Sequence, residues 1–426
     1  MIGVRPLDGV TVIEFAQLIA GPSSALMLRD LGARVIKVES FAGDPGRELR
    51  TQAFAASGNS AIFDAYNRGK LSLAVNLKES AGRDIAAQLI QEADVVIESF
   101  RPGVMERLGL GFDQMIAGNK RLIYASLSAF GHEGPESDRR GVDFILQAES
   151  GIMSITGEMD GGPLKVGFTI VDAASGYVLT QAILASLLLR ERTGRGQLVR
   201  VSLLDVAMHL QSAPFGEFLA SHVEPIRMGN AAPMTSPADS LRTADGYIVL
   251  SAYLEDHWRR LCECIGRPEL ADDERFATKI DRVNHRLLLK EELEASLRTW
   301  TTRDAVDKFR ESGLAAGTVK SYGDLELSPQ VASNGMIMDI GVDGGDAHRA
   351  IRSPYRLDDR RLPESSEPAP AVGQHTVAVL RHLGYSEEQC QLLIANGTVV
   401  HSDDQTPGAV AAASGGNDGN ERAFPQ

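Results

Sequence analysis

VTVIEFAQLIAGPSSALMLRDLGARVIKVE, residues 10–39, is the stretch from which the fold follows. Its opening run is β-branched and apolar and breaks at AGPSSA, where small residues and Pro22 start a helix that Gly32 closes. ARVIKVE then returns to a β-branched run. Both strand candidates are apolar on both faces, which is the pattern of parallel strands covered by helices on two sides.

The same alternation continues outward. KLSLAVNL (70–77), DVVIESF (94–100), LIYASLSAF (122–130) and QLVRVSLLD (197–205) read as further strands, separated by helical SAGRDIAAQLIQEA and GVMERLG. Residues 1–212 are therefore expected to form the N-terminal part of a large α/β domain with a parallel sheet. Residues 213–240 read as an irregular linker, and 241–325 as a smaller α+β domain. A linker and a return to the large domain are expected over 326–401. From 402 to 426 the chain is Gly, Ala, Asn and Asp rich, the composition of a disordered tail.

A net charge of −14 over 426 residues excludes general binding to nucleic acid or anionic membranes, yet leaves room for a small anion held by local cations. Three cysteines, Cys262, Cys264 and Cys390, in no zinc or disulfide spacing, fit a reducing compartment. The first residues show no signal-peptide pattern, so a soluble cytoplasmic protein is expected. The nine histidines are scattered without metal-ligand spacing, and neither a G-x-G-x-x-G nor a P-loop follows the first strand. No metal and no permanently bound cofactor are expected.

Ligands of parallel sheets sit at the carboxyl ends of strands. Those ends carry Lys37, Arg68, Lys70, Arg101, Arg107, Arg139 and Arg140. Each alone reads as a salt-bridged surface residue; together they suit a phosphate-bearing ligand, with helix N-termini adding N–H donors. In SFRPGVMERLGLG, Phe100 offers a stacking surface beside Arg101, and Arg107 follows within about two helical turns. Asp172, in KVGFTIVDAASGYVLTQAILASLLLR, stands between an apolar run and a long apolar helix. It reads either as the helix N-cap or as a carboxylate nucleophile that the helix dipole keeps charged. The small residues Ala173 to Gly176 would let a substrate come close.

PLDGVTVIEFAQLIAGPSSALMLRDLGARVIKVE, NRGKLSLAVNLK, ESFRPGVMERLGLG, YASLSAFGHEGPESDRRGVDFILQAESGIMSITG, VDAASG and RTGRGQLVRVSLLD, in this order, resemble the class III coenzyme A transferases, the CaiB/BaiF family that includes formyl-CoA transferases. The resemblance covers about residues 5–400. It implies a Rossmann-like large domain made from both chain ends, a small middle domain, and an interlocked-ring homodimer. It further implies that Asp172 is the nucleophile, that acyl-CoA and a small carboxylic acid are the substrates, and that transfer runs through aspartyl anhydride and aspartyl-CoA thioester intermediates. Succinyl-CoA is the expected donor and a dicarboxylate the expected acceptor.

CoA contacts carried over by motif are Gln17, Leu18 and Ile19; Val75, Asn76, Leu77 and Lys78; Ser99, Phe100 and Arg101; Arg107; and Arg140, Gly141, Val142 and Asp143. Many family members carry Arg where this chain has Gln17, which leaves Gln17 open between a phosphate and an acyl contact. Racemases of 2-methylacyl-CoA in the family use a GHD histidine; here the motif reads GVD, with Val142 in that place, which disfavours that alternative. A non-catalytic acyl-CoA-binding subunit is the other alternative, opposed by the presence of Asp172. The oxalate-specific members carry a glycine run where this chain has RMGNAAPMTSPADS, so Asn230, Thr235 and Ser236 become the candidate acceptor contacts on an expected lid.

Overall fold

The structure, a computed structural model, describes residues 5–50, 60–341, 348–362 and 364–402. It divides into two compact units: Met1–Gly151, Val166–Gly216 and Asn334–Gln426 form one, and Ile152–Lys165 with Glu217–Ser333 the other, taken over the described residues.

In chain order the elements are β1 (Thr11–Glu14), α1 (Ala20–Asp30), β2 (Arg34–Glu39), α2 (Ala61–Asn67), β3 (Leu71–Val75), α3 (Ser80–Glu92), β4 (Val95–Glu98), α4 (Val104–Arg107), α5 (Phe112–Gly118), β5 (Ile123–Ser128) and α6 (Asp143–Glu149). After α7 (Ile152–Ile155) come α8 (Ile170–Thr193), β6 (Leu198–Ser202), α9 (Leu203–Leu210) and α10 (Ser212–Ser221). The middle of the chain supplies β7 (Ala238–Arg242), β8 (Tyr247–Ser251), α11 (Glu255–Cys264), α12 (Lys279–Asn284), α13 (Arg286–Leu297), α14 (Thr302–Glu311), β9 (Ala315–Thr318), α15 (Tyr322–Glu326) and α16 (Pro329–Asn334). It ends with β10 (Ile337–Ile340), β11 (His348–Ile351), α17 (Thr376–His382), α18 (Glu387–Ala395) and β12 (Val399–Val400).

The first unit is built on a sheet of order β12-β3-β2-β1-β4-β5-β6. All pairs are parallel except β12 against β3. The run from β3 to β6 is the Rossmann strand order, and it reverses between β1 and β4, where ligands of such sheets bind. Ile13, Ile36, Leu73 and Val96 point to the face covered by Ile85 and Leu89 of α3 and Val379 and Leu380 of α17. On the other side α1 packs against α8 closely enough that a Cβ at Gly176 would lie 1.9 Å from Ser23 Oγ. Thr180 Oγ1 donates to Ser24 Oγ across the same seam at 3.0 Å. That approach sets the second turn of α8 against the first turn of α1.

In the second unit β7, β8 and β9 form an antiparallel sheet packed by Trp258, Leu293 and Phe309 of α11, α13 and α14. Residues 152–165 pack with this unit, whereas the sequence reading has them in the first domain. The expected linker 213–240 contains α10 and the start of β7. β11 pairs with β10 in antiparallel register only through Ile351, three residues before Pro354, which has no N–H to give a ladder. The two-residue strand β12, absent from the sequence reading, closes the sheet edge beside β3. Apart from Ser402, the expected tail lies outside the described residues.

Gly196 sits where β6 begins, and a Cβ there would fall 1.9 Å from the Leu122 carbonyl oxygen. Backbone cannot yield as a side-chain tip can. Gly196→Ala is expected to lower stability by about 1–3 kcal/mol, read as a lower urea midpoint with an unchanged slope.

Candidate active site

The site starts where β1 ends. Gln17, Leu18 and Ile19 turn the chain into α1, with Leu18 in the left-handed region at φ 65°. A branched residue does not hold that conformation unaided. Here the Leu18 N–H donates to both Asp44 carboxylate oxygens, at 3.1 and 3.3 Å, and the Gln17 N–H to Ser99 Oγ at 3.3 Å. Asp44 in turn pairs with Lys37 Nζ at 2.7 Å, and Lys37 with Glu14 at 3.1 Å and the Ala16 carbonyl at 2.9 Å. Lys70 closes the network on Glu14 (2.7 Å), Asn67 (2.9 Å) and the Pro22 carbonyl (3.0 Å).

These groups are almost fully buried. Burial opposes the Lys37 ammonium, but Glu14, Asp44 and Glu39 outweigh it and hold its pKa above the ordinary lysine value. Lys70, with burial dominant and Lys37 as a like-charged neighbour, is pushed down to about 8. Lys37 and Lys70 are thus structural, not ligand-facing. Arg68 likewise is buried against Asp30 and Glu364, and Arg139 is engaged by Glu136 and Glu149 while lying over the Phe130 ring. The expectation that all strand-end cations gather at one ligand fails because most already have carboxylate partners.

What remains is a cleft of about 980 Å³, open to solvent, at the carboxyl ends of β1, β4 and β5. Its walls bring together Gln17, Leu18, Ile19, Ser99, Phe100, Arg101, Arg140, Gly141, Val142 and Asp172 of the sequence-derived candidates. Arg101 is half-buried, and its Nε and Nη2 are shielded from solvent without a hydrogen-bond partner. A guanidinium left in that state is poised for an anion. Arg140 is exposed and makes no ion pair among the described residues.

Asp172 is the only carboxylate among the lining residues. It is the third residue of α8 and caps nothing itself; Thr169 is the N-cap and makes no side-chain cap bond. The capping is done from another helix. Asp143 Oδ1 accepts the Val171 N–H at 2.7 Å and the Asp172 N–H at 3.2 Å, the two groups an N-cap side chain ordinarily serves. Gln147 holds the other Asp143 oxygen at 2.6 Å.

Asp143 is therefore buried behind the site and does not line the cleft. Burial, then the charge of Asp143, push the Asp172 carboxyl up to about 7. The helix end does not keep it strongly ionised, contrary to expectation; burial and the Asp143 charge set it near neutrality instead.

Other candidates fall outside this cleft. Val75 and Leu77 are core residues, Asn76 and Lys78 lie at the end of β3, and Arg107 closes the one-turn α4 without lining the cleft. Asn230, Thr235 and Ser236 belong to the second unit. There Asn230 donates to Ser240 Oγ at 3.0 Å. Arg282 and Arg286 hold the carbonyls of Ser236, Ala232 and Pro233 at 3.0–3.1 Å, so the segment is tied down along its backbone.

Two residues of the site carried no signal that the sequence reading used. Asp44 lies in GDPG, an ordinary turn pattern. Tyr66 of α2 has its phenol pushed up by burial and by the Asp172 charge.

The raised pKa has a stability consequence with a definite sign. A carboxyl that binds its proton more tightly when folded destabilises the fold once pH exceeds both pKa values. Asp172→Asn is expected to melt higher than the native chain at pH 8, with the gap closing as pH falls through 7 toward 4. Asp143→Asn keeps an acceptor for the two N–H groups but removes a charge, so it is expected to lower the pH at which Asp172 reacts with a carbodiimide.

The chain is similar to known proteins along most of its length. The sequence profile of CoA-transferase family III matches residues 7–376. A probable fatty acyl-CoA transferase of Mycobacterium tuberculosis is 38% identical over 386 residues, covering 88% of this chain and 98% of its own. The succinate–glutarate CoA-transferase of Agrobacterium fabrum is 36% identical over 383 residues, covering 89% and 96%. The crystal structure of a CaiB/BaiF family protein from Brucella suis superposes with a TM-score of 0.81 at 37% identity, covering 89% of this chain and all of that one. With its Rossmann-ordered sheet and a lone carboxylate in the switch-point cleft, the chain belongs to CoA-transferase family III.

Proposed function

We propose that the enzyme moves CoA from succinyl-CoA to a small dicarboxylic acid, with Asp172 as the nucleophile. The observation that carries this reading is the pairing, in one cleft, of a single near-neutral carboxylate with the partnerless guanidinium atoms of Arg101. Arg101 and Arg140 meet the CoA phosphates, and the Gln17–Ile19 and Ser99–Arg101 turns form its walls. The name of the Agrobacterium relative supports the succinyl donor and the dicarboxylate acceptor.

Asp172 attacks the thioester carbonyl carbon; the C–S bond breaks, giving an aspartyl mixed anhydride and CoA thiolate. The thiolate returns to the aspartyl carbonyl, leaving an aspartyl-CoA thioester and the free donor acid. The acceptor carboxylate attacks that carbonyl, releasing thiolate, which then takes the acceptor acyl group and restores Asp172. Each step exchanges one carboxylate or thiolate for another, so proton transfer is not required. A carboxylate near neutrality is poorly solvated, hence reactive, yet still largely ionised slightly above pH 7.

The racemase alternative needs an acid and a base on opposite sides of a carbon. The cleft lining offers Asp172 alone as a carboxylate, and the motif position at which the racemases carry histidine holds Val142, which lines the cleft and is 51% exposed. A homodimer is supported by the apolar residues that α8 leaves exposed, Tyr177, Leu188 and Leu189. By length and composition α8 could cross a membrane, but its seam with α1 makes it a wall of the first unit. The unpaired thiols of Cys262, Cys264 and Cys390 support the cytoplasm.

Asp172→Asn is expected to abolish CoA transfer while still binding CoA; turnover at the native rate would refute the mechanism. Hydroxylamine added during turnover should yield a hydroxamate on Asp172, detectable by mass spectrometry. Arg101→Met is expected to raise KM for acyl-CoA by roughly tenfold or more with kcat changed far less. A donor-by-acceptor panel of mono- and dicarboxylates tests the substrate class, and preference for long-chain fatty acids would overturn the dicarboxylate assignment.

A further inference from the structure

Behind the cleft wall lies a second set of polar groups that the transfer chemistry does not use. Glu98, the last residue of β4, is buried. One carboxylate oxygen accepts the Phe100 N–H at 2.9 Å and the other is met by the Ser126 hydroxyl of β5. Ser126 Oγ also lies 2.6 Å from His132 Nε2. His132 Nδ1 faces Ser128 Oγ at 3.4 Å, and Ser128 itself lines the cleft. Both ends of this chain thus touch the cleft wall, at the Ser99–Arg101 turn and at Ser128.

A serine hydroxyl has one proton and sits here between two groups, so the chain has two polarities. With Glu98 ionised, the serine donates to it and His132 donates from Nε2 to the serine oxygen. With Glu98 protonated, its O–H donates to Ser126, Ser126 donates to His132 Nε2, and the histidine proton resides on Nδ1 toward Ser128. Passing from carboxylate and neutral Nε2–H imidazole to the second polarity takes up one proton: the Nε2 proton moves through the serine onto Glu98 while one from solvent enters at Nδ1.

We infer that Glu98, Ser126 and His132 form a hydrogen-bonded relay that sets the charge on Glu98, and through it the grip on the Phe100 N–H that positions the Ser99–Arg101 wall of the CoA cleft. His132 and Glu98 are positioning residues, and the inference rests on the reading of this cleft as the CoA site. The surroundings make the relay responsive near neutral pH. Burial, with Glu106 of α4 adding like charge, pushes Glu98 up to about 7 against its bonds from Ser126 and Phe100. Burial and Arg200 of β6 push His132 down, while Glu106 and Glu133 act the other way. Tyr124 of β5, a further titratable neighbour, is held far above its usual range by burial and the charges of Glu98 and Glu106, so it stays a phenol that donates to the Leu110 carbonyl at 3.1 Å.

An ionised acceptor holds an N–H more strongly than a neutral one, so acidification should loosen the turn. The test uses the full chain carrying Asp172→Asn, which removes the other carboxyl titrating in this range, and measures CoA binding by calorimetry at pH 6, 7 and 8. Affinity is expected to fall roughly fivefold more between pH 8 and 6 than in the same chain with Glu98→Gln, whose carboxamide is neutral throughout. Ser126→Ala and His132→Gln are expected to move the midpoint of that loss. A ligand-free readout accompanies it: in protein labelled with ¹³C at histidine Cε1, Glu98→Gln should shift the His132 titration. An unmoved His132 midpoint together with identical pH profiles overturns the relay. If neither the native nor the Asp172→Asn chain binds CoA at any pH, the cleft assignment fails, and the His132 titration still decides the relay by itself.

Discussion

The Lys37–Asp44 ion pair is the interaction on which the site depends. Asp44 holds Leu18 in a backbone conformation that a leucine alone would leave, and that turn starts α1 at the edge of the cleft. Asp44 can sit unprotonated in the interior only because an ammonium lies 2.7 Å away, and Lys37 can be charged there only because Glu14 flanks it. Removing one partner of such a pair leaves an uncompensated buried charge, which typically costs about 3–5 kcal/mol. The network is therefore better understood as a device for geometry than as a source of stability. Replacing it with apolar side chains would keep a core and lose the turn.

A similar division of labour surrounds Asp172. The carboxylate that faces the cleft is not the one that satisfies the helix. Asp143 takes the two N–H groups at the start of α8, which leaves the Asp172 side chain free to face the cleft. The cost is a like charge nearby, and that charge adds to desolvation in raising the Asp172 pKa. The cap and part of the pKa shift thus come from one residue. A self-capping aspartate would have had its oxygens occupied and its pKa lowered.

The parallel sheet and its strand-end cleft were legible in residues 10–39 and in the alternation that follows, because fully buried strands are continuous apolar runs. Motif order identified the family, and it singled out Asp172, which the structure places in the cleft wall. Side-chain partnerships were not legible. Lys37 and Arg101 look alike in sequence, both cations at strand ends, yet one is saturated by carboxylates from distant positions and the other has guanidinium atoms without a partner. Asp143 was carried over with the cleft residues around it, but one step along the chain turns it from the cleft to the interior. Two-residue β12 is too short to give a periodic signal, and its pairing is decided by a strand far away in sequence.

That last strand bears on how the chain is made. β3 forms the end of the parallel run, and its outer edge is met by Val399 and Val400, by His375, whose N–H donates to the Ser72 carbonyl and whose Nδ1 accepts the Ser72 N–H, and by Thr376 Oγ1, which accepts the Ala74 N–H, with Asn76 donating to the Thr398 carbonyl beside them. On a ribosome the sheet would present a raw edge throughout synthesis of the entire second unit, and the loop finally closed is among the longest the chain allows. The nascent protein is then exposed to wrong strand partners until the residues that seal the edge have emerged. A two-residue pairing that contributes little area to the finished core thereby acts as the closing stitch of its assembly.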